Sequence, residues 1–583
     1  MRYIITMVKR IAALVIVALV AAYVASCSIL DFETPPDSNL SSDKEMSIDN
    51  STPVSEIDFS DVSGSVSVRI DNLENKSVYL VKYAAARVPA GQTGYAVSNE
   101  YSARPSEASQ GRSAASGVFA AGDGSEGVRY DHLAAQQFNG NPPPALSNGA
   151  SRVAAEDAPV AFKVYTKDGS TGQFWVEDTS GKWVQKSAVL QAASEYAVVW
   201  VADENFTQSA SASDDNKITR EQSAVIASQF DIIYQKETSI FGYEYGGGPG
   251  GGGGRDGDPK IQILIYDIDG DYKREQTSGV FGYFWAKDFY TQAEIDRIYG
   301  SGMKTNAAEI FYLDAHFADK YPDGAISTLA HEFQHMINFN EKSIRSGFKL
   351  SSETWFDEML AMLAEDIIDP LVGVAESEFP YNQRMPLFLN VYSNCDPTTW
   401  LKNEEALYSY ANSYAFGAYL TRNFGGARLI QEMMANSKVN EESVVDAVNA
   451  VLPAAAQGGA WDFAKLLSRY GEALIFSGKE KPSGVFSFDN TVADTINGTE
   501  YRCAGFDIWR MDNPRTGQRL SFKYNNSYPS KGPLVIDTDY SIEMFENTFV
   551  VQSNAAWQNK TGSLVFTLMK PASSEVAFFI MIK

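Results

Sequence analysis

Three hydrophobic patterns divide this chain. The first is a continuous apolar run from Ile11 to Val24 behind the basic residues Arg2, Lys9 and Arg10. It is too short for a comfortable transmembrane span and reads as a targeting segment, residues 1–27, followed by a polar, Ser/Asp-rich tether over 28–55. The second pattern is alternation of apolar and polar positions. Ser65-Val-Ser-Val-Arg-Ile-Asp, Ser77-Val-Tyr-Leu-Val-Lys-Tyr, Val160-Ala-Phe-Lys-Val-Tyr, Gln173-Phe-Trp-Val-Glu and Tyr196-Ala-Val-Val-Trp-Val predict strands. They define an N-terminal β domain of sandwich type over 56–205, with an Ala/Ser/Gly/Pro-rich, weakly patterned insertion around 103–156. The third pattern is helical and occupies a central unit, 206–478: an amphipathic helix from Arg220 to Tyr234, a buried strand at Ile261-Gln-Ile-Leu-Ile-Tyr, and mainly helix over 296–470. Strand signals return after Pro482, in Gly484-Val-Phe-Ser-Phe, Arg519-Leu-Ser-Phe-Lys-Tyr, Gly562-Ser-Leu-Val-Phe-Thr-Leu and Val576-Ala-Phe-Phe-Ile-Met-Ile, and predict a C-terminal β domain over 479–583. The expected fold class is multidomain α+β.

Composition agrees with a globular chain of several domains: 583 residues, 44% hydrophobic and 21% charged. The net charge of −25 argues against a nucleic-acid partner and against docking a basic face on anionic membrane. The glycine run Gly246 to Gly254 lacks the Gly-Lys-Ser/Thr ending of a phosphate loop and reads as a flexible connection. Asp267, Asp269 and Asp271 alternate around Gly270 and offer hard oxygens to Ca²⁺. No Glu stands at the twelfth loop position, so a turn with solvated carboxylates is the competing reading.

The chemistry concentrates in His331-Glu-Phe-Gln-His335, an HExxH sequence within an apolar-patterned run from Ala325 to Phe339. Positions i and i+4 share a helix face, so both imidazoles reach one metal ion, while Glu332 addresses a water bound there. With four histidines in 583 residues, chance supplies the complete motif on the order of 10⁻³ times per chain. Zinc hydrolases need a third protein ligand and an open fourth position. The next predicted helix, Ser352 to Asp366, offers Glu353, Glu358, Glu365 and Asp366.

Trp355-Phe-Asp-Glu-Met-Leu resembles the W-x-N-E-G segment of gluzincin peptidases, with Asp357 for the usual Asn and Met359 for the usual Gly. Together with Phe284-Trp-Ala-Lys-Asp-Phe-Tyr, Ala308-Glu-Ile-Phe-Tyr-Leu-Asp and Ser413-Tyr-Ala-Phe-Gly-Ala-Tyr-Leu, the motif region resembles the hyicolysin family of bacterial metallopeptidases over roughly residues 215–475. The resemblance implies a thermolysin-like zincin domain flanked by the two β domains, one catalytic Zn²⁺, and Glu358 as its third ligand beside His331 and His335. It implies Tyr414 as the donor that stabilises the oxyanion, with Tyr408, Tyr410 and Tyr419 as competitors. It also implies that the strand from Ala308 to Leu313 lies at a sheet edge and takes up extended substrate.

Val24-Ala25-Ser26-Cys27 resembles a bacterial lipobox, which implies cleavage before Cys27 and lipid anchoring there. In an exported protein Cys395 and Cys503 are able to pair as a disulfide. The resulting expectation is an exported, envelope-anchored zinc endopeptidase acting on protein or peptide, with Glu332 as general base. An aminopeptidase of the same class and a surface adhesin with a vestigial metal site are the rivals. No Gly-x-Met-Glu-Asn segment, which would hold a free substrate amine, precedes the motif.

Overall fold

Strands that are apolar on both faces need cover on both faces, and the chain's most hydrophobic strands lie in the middle of one sheet. The computed structural model describes residues 44–84, 132–144 and, with short gaps, 169–583, together with strand segments at 95–96 and 128–129. Its largest sheet contains β1 (Thr171–Glu177), β2 (Trp183–Ala193), β3 (Ala197–Ala202), β4 (Ile261–Tyr266), β5 (Gly282–Phe284) and β6 (Ile310–Asp314), in the spatial order β5-β6-β4-β3-β2-β1. Strands β3, β4 and β6 are parallel and buried along their whole length. β1 and β2 form an antiparallel pair at one side. At the other, β5 is the outermost strand and runs antiparallel to β6, with Phe284 opposite Phe311.

Five helices position the site: α1 (Leu133–Asn139), α2 (Arg220–Phe241), α3 (Pro322–Asn338), α4 (Thr354–Val372) and α5 (Ala406–Phe424). A reciprocal cap between Thr219 and Gln222 starts α2. Phe230 of α2 then packs against Phe311 of β6 and Phe333 of α3, at ring separations of 5.6 and 5.1 Å. α3 begins at Pro322, whose missing N–H costs nothing in a first turn. Every residue from Gly324 to Asn338 is buried, as are most of α4 and α5. These helices are interior elements, so their polar side chains must find partners inside the protein. α5 meets α4 at Gly417, where a Cβ would stand 2.7 Å from Met359 Cγ and 3.1 Å from Leu363 Cδ1.

Several expectations change. The strands expected at 173–177 and 196–201 belong to the central sheet, not to a separate N-terminal domain. The N- and C-terminal strands also do not form two sandwiches. Val54–Glu56 and Val78–Ala84 join Phe549–Gln552 and Val576–Ile582 in one four-stranded sheet, because the apolar Val78–Ala84 accepts a partner from the far end of the chain on each side. A smaller unit, residues 44–47, 59–69 and 565–570 among those described, is built on a three-stranded sheet of Lys44–Ile48, Ser65–Lys76 and Lys560–Met569. Its first strand falls within the expected tether. The 103–156 insertion contains helix α1. The strand expected before the motif helix is interior, held by β4 on one side and β5 on the other. The targeting segment, Cys27 and the strand expected at 160–165 lie outside the described residues. Cys395 and Cys503 are both buried and do not pair as a disulfide, and burial pushes the Cys503 thiol up to about 12. Asp267, Asp269 and Asp271 do not gather ligand oxygens around a common point; among the described residues only one cluster of metal-ligating side chains does so.

The close approach at Gly417 makes a test of packing. Gly417→Val should lower stability by about 1–3 kcal/mol through overpacking and shift Met359, the neighbour of Glu358. Thermal unfolding together with metal content per chain checks this; if both are unchanged, the α4–α5 contact is slack.

Candidate metal centre

The site forms where α3 and α4 lie antiparallel, a direction their side-chain contacts reveal turn by turn. Ser327 Oγ is 3.0 Å from Glu365 Oε2 and 2.8 Å from Asp369 Oδ2. One turn on, His331 Nδ1 is 2.6 Å from Glu365 Oε1. After another, Asp357 Oδ1 lies 3.1 Å from His335 Nδ1, and Asn338 Nδ2 donates to the same oxygen at 2.5 Å. Asn338 also donates to Ser352 Oγ at 2.9 Å, closing the series at the start of α4.

Between these contacts three ligand atoms converge. His331 Nε2 stands 3.4 Å and His335 Nε2 3.6 Å from Glu358 Oε2, and the group lies within 4.8 Å overall, with all three residues buried. A carboxylate only accepts hydrogen bonds, so Glu365 holds the His331 proton on Nδ1 and turns the Nε2 lone pair toward Glu358. Two imidazole nitrogens and one carboxylate oxygen form the donor set of a catalytic divalent metal with a position left open for water. A carboxylate behind a ligating histidine further fits such an ion, because it fixes the ring and raises its basicity.

Of the four candidate carboxylates Glu353, Glu358, Glu365 and Asp366, only Glu358 meets both histidines. Glu353 accepts from Trp355 Nε1 at 2.8 Å. Glu365 stands behind His331. Asp366 faces the other way and binds Arg422, which is fully buried, through both guanidinium nitrogens at 2.7 and 3.1 Å. Removing one partner of such a buried pair costs about 3–5 kcal/mol.

Glu332 projects from α3 onto the edge of the sheet, where its Oε2 accepts the backbone N–H of Phe284 at 2.7 Å. The structure places the candidate tyrosines differently from one another. Tyr414 donates to Asp366 Oδ1 at 3.1 Å on the arginine side of α4, and burial pushes its hydroxyl well above the ordinary range. Tyr410, one turn earlier on α5, is linked to Glu358 through Gln136. Its hydroxyl accepts from Gln136 Nε2 at 3.2 Å, and the same Nε2 donates to Glu358 Oε1 at 2.6 Å. The Arg384 guanidinium lies over the Tyr410 ring at 4.9 Å. His316 is remote from this group, with Nε2 3.1 Å from the Gln276 carbonyl. Sequence reasoning missed Gln136 and Asn139, which sit in weakly patterned sequence and have no motif to mark them.

The peptidase M30 family model matches residues 182–486, just over half of the chain and including every residue of the ligand group. The neutral metalloprotease ShpI of Staphylococcus hyicus is 28% identical over 275 residues, an alignment that covers 45% of this chain and 54% of that protein. The chain thus spans about half the length of the relative it matches.

The three candidate ligands and their supports should separate by metal content. Glu358→Ala should abolish stable metal binding, Glu365→Ala should weaken it about 10–100-fold, and Glu353→Ala should leave it intact. Metal retained in Glu358→Ala but lost in Glu353→Ala would reassign the third ligand.

Proposed function

Since this chain belongs to the peptidase M30, or hyicolysin, family, we propose that it is a zinc endopeptidase of thermolysin-like fold that hydrolyses extended polypeptide. The observation that carries the reading is the pairing of a buried His-His-Glu group with a carboxylate, Glu332, held against the backbone of an outermost strand. His331, His335 and Glu358 would hold the metal. When bound, zinc acts as a Lewis acid and makes water a nucleophile near neutral pH. Glu332 takes the proton of the attacking water and returns it to the leaving amine. The outer edge of β5, on which no other strand of the described residues pairs, accepts substrate backbone as an added strand. Tyr410 supplies a hydroxyl donor to the charge that develops on the carbonyl oxygen.

We further propose that the chain is exported and anchored through Cys27, a reading supported by the basic, apolar and lipobox-like succession of residues 1–27. Among the described residues no helix is long and apolar enough to cross a membrane.

Glu332→Gln should keep metal and fold while slowing cleavage of a terminally blocked peptide about 10²–10⁴-fold, roughly 3–5 kcal/mol of barrier. In the same assay Tyr410→Phe should lower kcat and Tyr414→Phe should not. Near-normal turnover in Glu332→Gln would show that another group is the base, and failure to cut any blocked peptide would favour an aminopeptidase. For location, wild type should partition into detergent with Cys27 as its mature N-terminus, and Cys27→Ser should escape processing at that bond. A soluble wild type with another N-terminus would remove the anchor and leave the peptidase reading standing.

A further inference from the structure

Residues 132–143 lie where a substrate would have to lie, and we propose that they are an intramolecular pseudosubstrate competing with peptide for the cleft. The inference rests on the peptidase reading. The segment reaches the site alongside the sheet edge: Val128 and Arg129 pair in parallel with Ser278 and Gly279, shortly before β5. Helix α1 presents two side-chain amides to the cleft. Asn139 Nδ2 donates to the Phe284 carbonyl at 2.8 Å, and the Ala286 N–H donates to Asn139 Oδ1 at 2.8 Å. A carbonyl and an N–H on one outer edge are what the backbone of an added peptide would bond. The Asn139 carboxamide is itself an amide and satisfies both in its place.

Gln136 lies three residues earlier on the same helix face and does the corresponding thing at the metal group. Its Nε2 bonds Glu358 Oε1 and the Tyr410 hydroxyl, and its Oε1 accepts from Trp400 Nε1 at 3.0 Å. One amide therefore covers the pairing edge, and the other covers a candidate ligand and the candidate oxyanion donor. The cavity left among these groups is about 10 Å³, barely the room of one water. Beyond the helix, Ser351 Oγ donates to the Gly140 carbonyl at 2.8 Å and the Tyr290 hydroxyl to that of Pro143 at 2.5 Å. Most of these bonds are ones a peptide backbone can duplicate, so substrate is able to displace the segment. The family model matches from residue 182, so this occupant lies outside the matched region.

The test uses the zinc-loaded full chain and the variant Gln136→Ala/Asn139→Ala. Gln137→Ala, on the exposed side of α1, is the control. Losing the two amides should lower KM for a terminally blocked peptide about tenfold with little change in kcat, the scale of one or two neutral hydrogen bonds. Binding of a peptidyl hydroxamate should tighten by the same factor, and the Ala286 amide should exchange with solvent faster. If KM and hydroxamate affinity are unchanged, or kcat falls with stability, the segment is a fixed wall of the cleft and the proposal is overturned while the peptidase stands. If no form turns over peptide or binds hydroxamate although zinc is in place, the peptidase reading itself fails and takes this inference with it.

Discussion

Buried charge is the constraint around which this protein is organised. His331, Glu332, His335, Glu358, Glu365 and Asp369 all lie inside, on two helices with almost no exposed surface. An ionised group left alone in such surroundings costs several kcal/mol, far more than a single packing contact returns. The antiparallel apposition of α3 and α4 meets this demand one turn at a time, from Ser327 through His331 and His335 to Asn338. Ser327, His331, His335 and Asn338 of α3 each find a counterpart on α4 or at its start. A shift of one residue in either helix would rotate its side chains by about 100° and leave most of them without a counterpart. The register is held from outside by apolar contacts: Phe230 between sheet and motif helix, and Gly417 letting α5 close on Met359.

The same packing directs chemistry to one edge. α3 lies against β5, the outermost strand of the sheet, and Glu332 is tied to its backbone. The metal group is thus fixed beside a strand edge whose peptide groups bond side chains and not another strand among the described residues. α1 occupies that edge with side-chain amides. Exposed strand edges invite pairing with other chains, and an internal occupant limits this without closing the site for good.

Much of the local structure was legible. The i,i+4 histidines sit on a helix because the apolar periodicity around them is helical, and Ile261 to Tyr266 is a strand for the matching reason. Both features depend on residues within one or two turns, where backbone geometry alone relates them. Domain boundaries were less legible, because alternation reports that a strand is half-buried and says nothing of its neighbours. Val78–Ala84 pairs with Phe549–Gln552 and Val576–Ile582 across nearly the whole chain. The strands at 171–202 continue the central sheet instead of closing a separate one.

Sequence alone determined the kind of site: two imidazoles and a carboxylate on one helical segment, with candidate ligands about twenty residues on. Tertiary structure decided which candidate groups come together. It brought Glu358 to both histidines, put Glu365 behind one of them and turned Asp366 to Arg422, and it set Tyr410 and Tyr414 on different sides of α4. It made β5, not β6, the edge of the sheet. It also brought Gln136 to Glu358 across 222 positions of sequence. Periodicity is set by hydrogen bonds within one element and can be read from a short window. Choice among equivalent carboxylates, tyrosines and strands is set by contacts between elements, whose partners no short window contains.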